Sequence, residues 1–181
     1  MQPRVVACVL AGGLSSRLGR DKARVRLGRR TLLGRIKAAA KEAGLPVKVL
    51  RRDIVPRCGP IGGIYTGLCT LDAEAIVFLA CDMPFVSAAL LNRLVRAYLR
   101  SGRPIFVESA DGRGFPCVVP KRCAPLMGRQ IEKKEWSIQV LSRALKAKVV
   151  PFKNAAELFN VNTARDLATA REKARSLRPL R

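Results

Sequence analysis

The chain contains no histidine. That absence removes a histidine base, a histidine metal ligand and every Ser-His or Cys-His catalytic pair. Acidic residues are scarce: 13 stand against 35 Lys plus Arg, so the 181 residues carry a formal charge of +22. The surplus favours anionic partners such as nucleotides, phosphorylated metabolites, nucleic acid or acidic lipid. Aromatic residues make up only 5% and rarely interleave with the basic ones, which argues against a stacking surface for single-stranded nucleic acid. The six cysteines, Cys8, Cys58, Cys69, Cys81, Cys117 and Cys123, form no CxxC pair. A zinc knuckle or thioredoxin-type site is therefore disfavoured and buried free thiols are expected, with a Cys8 to Cys81 disulfide open if the two occupy neighbouring strands. No apolar run approaches the roughly 18 residues that cross a bilayer. The N-terminus lacks a long apolar helix and an export cleavage pattern, and we read the chain as cytoplasmic, with no membrane partner.

What is present fits one domain over residues 1–181 with a substantial core. Val5 to Leu10 reads as a buried strand, followed by a long loop and a helix over residues 31–43 with Leu32, Leu33, Ile36, Ala39 and Ala40 on one face. Residues 47–50 and 75–80 read as further strands, with a glycine-containing helix over 61–71 between them. Ser87 caps a helix over 88–99 whose Leu90, Leu91, Leu94, Val95 and Leu99 are assigned to the core. Residues 105–107 and 115–119 look like strands around the turn Asp111-Gly112-Arg113-Gly114. A helix over 138–145, a strand over 148–152 and a threonine-capped helix over 163–177 complete the chain. The alternation predicts an α/β fold with a mostly parallel sheet and a small mixed or hairpin excursion around 104–120. Cys81, Met83 and Trp136 are assigned to packing.

Ligands of open α/β sheets bind beyond the carboxyl ends of the strands, so the loops 11–22 and 81–85 are placed for a shared site. In Ala11-Gly12-Gly13-Leu14-Ser15-Ser16-Arg17, glycines let backbone amides approach phosphate oxygens, Ser15 and Ser16 can donate hydroxyls, and Arg17 and Lys22 add positive charge. The run is neither a Walker loop nor GxGxxG, and a glycine turn after a strand can also be purely structural. Asp82 could hold Mg²⁺ between phosphates, or cap a helix before Pro84. Asp53 could hydrogen-bond a base or ribose, or pair with Arg51 or Arg52. Gly59-Pro60-Ile61-Gly62-Gly63 suits either close approach to a flat ligand or tight helix packing. Asn160 and Asn162 fall on one side of an extended segment, able to contact substrate or metal-bound water, or to cap the last helix.

The runs "LAGGLSSRLGRDK", "GPIGGI", "ACDMPFVS" and "FNVNTARDL", in this order and spacing, resemble the molybdenum cofactor guanylyltransferase family of MobA-like nucleotidyltransferases. The resemblance implies a Rossmann-like three-layer α/β/α sandwich and transfer of GMP from GTP to molybdenum-molybdopterin with release of pyrophosphate. It implies nucleotide contacts from Leu10, Ala11, Gly12 and Gly13, a phosphate-binding Lys22, a nucleotide-binding Asp53, Mg²⁺ on Asp82, and a pterin side at Asn160 and Asn162. Docking to proteins that deliver or accept the cofactor is a further implication. The chain departs from the family pattern in a short 44–53 segment without asparagine and in residues 122–137.

In this reading Arg17, Lys22 and Asp82 are the catalytic groups, Arg17 and Lys22 neutralising phosphate charge directly and Asp82 through the Mg²⁺ it would hold, a task that needs no histidine. The alternatives are a related transferase using CTP or another phosphorylated acceptor, and, in a different class, a basic nucleic-acid-binding module.

Overall fold

The computed structural model describes residues 4–12, 22–55, 58–110 and 112–176, for Lys22 the backbone only. Six strands form one sheet: β1 (Val5–Leu10), β4 (Val47–Leu50), β5 (Ala75–Ala80), β6 (Ile105–Ser109), β7 (Gly112–Pro120) and β8 (Lys148–Pro151). Their order across the sheet is β4-β1-β5-β7-β6-β8, and β7 alone runs antiparallel to its neighbours. The mixed excursion around 104–120 is thus part of the sheet, with β7 inserted between β5 and β6.

Strand periodicity sorts the apolar side chains onto two faces. Ala7, Val9, Val77 and Leu79 pack with Ile36 and Ala40 of α1 (Leu32–Glu42) and with Leu90, Leu91 and Leu94 of α3 (Ala88–Ser101). Val6, Cys8, Ile76 and Phe78 face Ile61, Ile64 and Leu68 of α2 (Pro60–Thr70), Met127 of α4 (Ala124–Glu132) and Leu141 of α5 (Ile138–Ala144). This is the expected three-layer sandwich. It also separates Cys8 from Cys81, which belong to clusters on opposite faces, and all six cysteines are free thiols.

Local chemistry explains the element ends. Ser87 Oγ accepts from the Leu90 N–H at 3.1 Å and caps α3, and Thr31 Oγ1 caps α1 through the Gly34 N–H at 3.0 Å. Two side chains assigned to the interior lie at the surface: Leu99 is 43% and Trp136 44% exposed. In the last turn of α3, Ala97 and Tyr98 take the buried positions instead.

The turn expected at residues 111–114 is also revised. Gly112, at φ 98°, already pairs with Ser109, and Arg113 pairs with Glu108 across the ladder. A glycine in that conformation completes the reversal early, and the Arg113–Glu108 ion pair at 3.1 Å sits on the strands themselves. The long loop before α1 contains a short hairpin, β2 (Arg26–Leu27) and β3 (Arg30–Thr31), turned at Gly28 with φ 68°. Leu27, Leu32 and Val161 join Ala170 of the terminal helix α6 (Ala164–Ser176) in a third buried cluster. That cluster packs the hairpin and the start of α1 against α6 and the segment before it.

Candidate active site

Three parallel strands deliver their carboxyl ends side by side. The Ala11 N–H donates to the Leu50 carbonyl at 2.8 Å, and the Cys81 N–H donates to the Leu10 carbonyl at 3.2 Å. The loops leaving β1, β4 and β5 therefore start from one locked row. Gly12 passes so close to β4 that a Cβ there would lie 2.7 Å from the Arg51 carbonyl oxygen. This glycine is demanded by the neighbouring backbone, whatever ligand it also meets.

The nucleotide-side expectation at Asp53 meets a concrete environment. A Cβ on Gly62 would sit 3.0 Å from Asp53 Oδ2, and one on Gly63 would lie 3.5 Å from Oδ1. The carboxylate thus rests against the bare first turn of α2. Thr66 Oγ1 accepts from the Ile54 N–H at 3.0 Å and donates to the Gly62 carbonyl at 2.8 Å, fastening the loop after Asp53 to the helix. Partial desolvation raises the Asp53 pKa above the usual carboxylate value. The glycines of this stretch are also packing glycines: a Cβ on Gly63 would meet Leu10 Cδ1 at 3.0 Å, and one on Gly67 would meet Phe78 Cε1 at 2.6 Å.

Asp82 stands two residues beyond the end of β5, and its Oδ1 is buried. The Val161 N–H donates to the Asp82 backbone carbonyl at 2.8 Å, which seats the segment around Asn160 and Asn162 alongside the Asp82 main chain. Val161 is fully buried, whereas Asn160 is exposed and Asn162 half-buried, so the alternation puts both asparagines on the side away from the core. Asn160 Nδ2 donates to the Leu158 carbonyl at 3.4 Å. The helix cap belongs to other residues: Thr163 Oγ1 accepts from the Asp166 N–H at 3.1 Å, and Asp166 Oδ2 accepts from the Thr163 and Asn162 N–H groups at 2.8 and 2.9 Å.

The donor set suits a magnesium ion held partly by substrate. Mg²⁺ takes one or two carboxylates and completes its shell with water and phosphate oxygens. Asp82 could supply one such carboxylate, and no group of three or more acidic, histidine or cysteine ligands occurs among the described residues. Gly13, Ser15, Ser16 and Arg17 lie outside the described residues, as does the Lys22 side chain, whose backbone begins a 3-10 turn over Lys22–Arg24. Leu10, Ala11, Gly12, Asp53, Asp82, Asn160 and Asn162 are thus gathered at one edge. Thr66 and Val161, which position two of these elements, carry no signal of polar chemistry in the sequence. Val161 is legible only as the apolar member between two asparagines.

A mostly parallel sheet with a glycine-flanked strand exit and two separate carboxylates, Asp53 and Asp82, at its carboxyl edge frames an α/β nucleotide-binding enzyme. Residues 7–149 match the MobA-like NTP transferase domain, and the chain belongs to that nucleotidyltransferase family. It is 32% identical to the molybdenum cofactor guanylyltransferase of Rhodobacter capsulatus, over 97% of this chain and 100% of that one. It superposes on molybdopterin-guanine dinucleotide biosynthesis protein A from Archaeoglobus fulgidus with a TM-score of 0.73 at 22% identity, covering 94% and 99% of the two chains. The 4-diphosphocytidyl-2C-methyl-D-erythritol synthase of Anaerococcus prevotii gives 0.75 at 13% identity, covering 97% and 100%. The last two likenesses speak to the fold alone. No helix among the described residues is long and apolar enough to cross a membrane.

Proposed function

We propose that this chain transfers GMP from GTP to molybdenum-molybdopterin, releasing pyrophosphate and forming the guanine dinucleotide cofactor. The observation that carries the reading is the Val161-to-Asp82 hydrogen bond of 2.8 Å. It ties the backbone of Asp82, the residue suited to a metal–triphosphate, to the asparagine-bearing segment suited to a second substrate. The name of the Rhodobacter capsulatus relative supports the same substrates.

In this mechanism a terminal phosphate oxygen of the acceptor attacks the α-phosphorus of GTP in line. The new O–P bond forms as the bond to the β-phosphate bridging oxygen breaks, and the electron pair leaves with pyrophosphate. Mg²⁺ supplies charge neutralisation across the phosphates. Asp82 would hold it, Arg17 and Lys22 would balance charge on the β- and γ-phosphates, and the backbone from Leu10 to Gly13, with Ser15, would line the triphosphate. Asp53, fastened beside α2, serves the nucleoside, and Asn160 and Asn162 orient the acceptor. A phosphate nucleophile is already ionised at neutral pH, so the missing general base costs nothing.

Thermal stability measured with each of the four NTPs and Mg²⁺ tests the base, because a ligand selective for the native state raises its stability. GTP alone raising the melting temperature supports the proposal; a preference for CTP, or for none, overturns the guanylyl assignment. Wild-type pyrophosphate release by Asp82→Ala would overturn the metal assignment.

A further inference from the structure

A second concave site lies behind the Asp82 loop. The hairpin β2–β3, α1, the start of α3 and α6 border a half-open cavity of about 750 Å³. That is within the range of about 300–1,000 Å³ usual for small-molecule sites. Five arginines line it: Arg29 and Arg30 from the hairpin, Arg35 from α1, and Arg171 and Arg175 from α6. Among the described residues the only lining carboxylate is Glu42. Among the described residues Arg29, Arg30, Arg171 and Arg175 form no ion pair with any carboxylate.

These charges come from three separate elements and are held together by the third apolar cluster, in which Leu27, Leu32 and Ala170 are buried. Arg35 is oriented: its Nε donates to the Leu27 carbonyl at 3.1 Å, and its guanidinium lies 5.9 Å from the centroid of the Phe85 ring. Arg171 and Arg175 stand one helical turn apart on one face of α6. Gathering like charges in one concavity is unfavourable until an anion enters, and guanidinium forks match phosphate oxygens two at a time. Ala88 and Ala89 line the same cavity from the first turn of a 14-residue helix, whose N-terminal partial charge adds to the arginines. The remaining wall is small and apolar, with Ala38, Ala39, Val86 and Ala174, leaving room for more than a phosphate group.

We infer that this cavity is a binding site for a small molecule carrying two or more phosphates, separate from the Asp82 edge. Pyrophosphate and a nucleoside triphosphate share that chemistry. The inference does not depend on the guanylyl reading. Pro84, Val86 and Ser87 line the cavity two to five residues beyond Asp82, so an occupant would bear on the loop that carries that carboxylate.

Calorimetric titration of the full-length Asp82→Ala protein in magnesium-free buffer of constant ionic strength tests the site away from the metal. Pyrophosphate and GTP are titrated separately. Saturable binding of either at one per chain supports the inference, and the tighter of the two names the source. Arg30→Glu with Arg171→Glu, and independently Ala89→Glu at the cavity wall, should each weaken it at least tenfold. Arg96→Glu with Arg100→Glu, exposed on α3 away from the cavity, makes the same charge change as the arginine pair and should leave the affinity within twofold. Equal weakening by that control pair, absence of saturable binding up to millimolar ligand, or complete displacement by a ten-residue glutamate peptide at lower concentration would each overturn it. Guanylyl transfer could fail its own test while this binding persists, so the two failures are distinguishable.

Discussion

The two sides of the candidate active site are built by opposite means. On the side of β1, β4 and α2, backbone approaches backbone: Gly12 leaves no space before the Arg51 carbonyl, and Gly63 and Gly67 let α2 settle onto Leu10 and Phe78. On the side of Asp82, side chains do the holding, with Leu27, Leu32, Val161 and Ala170 buried together beneath the asparagine segment. The first side is defined by atoms that are missing, the second by atoms that are present. The first should therefore fail when an atom is added and the second when one is removed.

Asp82 sits where the two sides meet, and its replacement should have the largest effect on chemistry. Asp82→Ala should lower turnover by about a hundredfold or more, equivalent to about 3 kcal/mol of transition-state stabilisation, with the fold intact by circular dichroism. Steady-state pyrophosphate release measures the first part and thermal melting the second. Removing buried atoms comes next. Leu27→Ala, at a fully buried position, should cost about 2–5 kcal/mol in urea unfolding. Adding atoms ranks third: Gly67→Ala places a methyl against Phe78 and should cost about 1–3 kcal/mol. If Gly67→Ala proves neutral or stabilising, the account of α2 as a close-packed backbone face is wrong.

Thr163→Ala removes the α6 cap and should cost about 1 kcal/mol, with added loss of hydrogen-exchange protection in the first turn of α6. The smallest effect concerns Asp53. Its folded pKa is raised by desolvation, so the folded protein holds its proton more tightly than the unfolded chain. Its ionisation then lowers stability as pH rises through the carboxylate range. Asp53→Asn should slightly raise the melting temperature at neutral pH, and the gain should fade as pH falls below that range. A gain that grows on acidification would contradict the burial described for this carboxylate.

Much of the fold is legible because local signals and buried periodicity agree. Residues 5–10 and 75–79 alternate between the two apolar faces, and Ser87 and Thr163 cap as their positions before helices suggest. The short hairpin at 26–31 escapes notice because two-residue strands have no period to detect. Helix α4 is also missed, although Pro125 at its start and Leu126, Met127 and Ile131 along it are a usable signal. Trp136 misleads because an indole suggests burial, yet its segment joins α4 to α5 at the surface. At the site, Gly12, Asp53, Asp82, Asn160 and Asn162 can be picked out from residue chemistry and motif order. Their supports cannot: a valine amide reaching a carbonyl 79 positions earlier, or a threonine hydroxyl bridging a loop to a helix, is ordinary sequence until the chain closes.

Sequence by itself determined the class of chemistry. A chain with no histidine, a large positive surplus and a few ordered glycine and aspartate motifs can neutralise phosphate charge, and has few other catalytic means. Tertiary structure decided which elements share a surface. The packing of Leu27, Leu32 and Val161 against α6, with the Val161 N–H bonded to the Asp82 backbone carbonyl, brings the asparagine segment to Asp82, and the same packing draws arginines about 140 positions apart into one cavity. The physical reason is that residue type sets what a group can do to a phosphate, whereas the distance between groups far apart in the chain is set by the apolar surface buried between them.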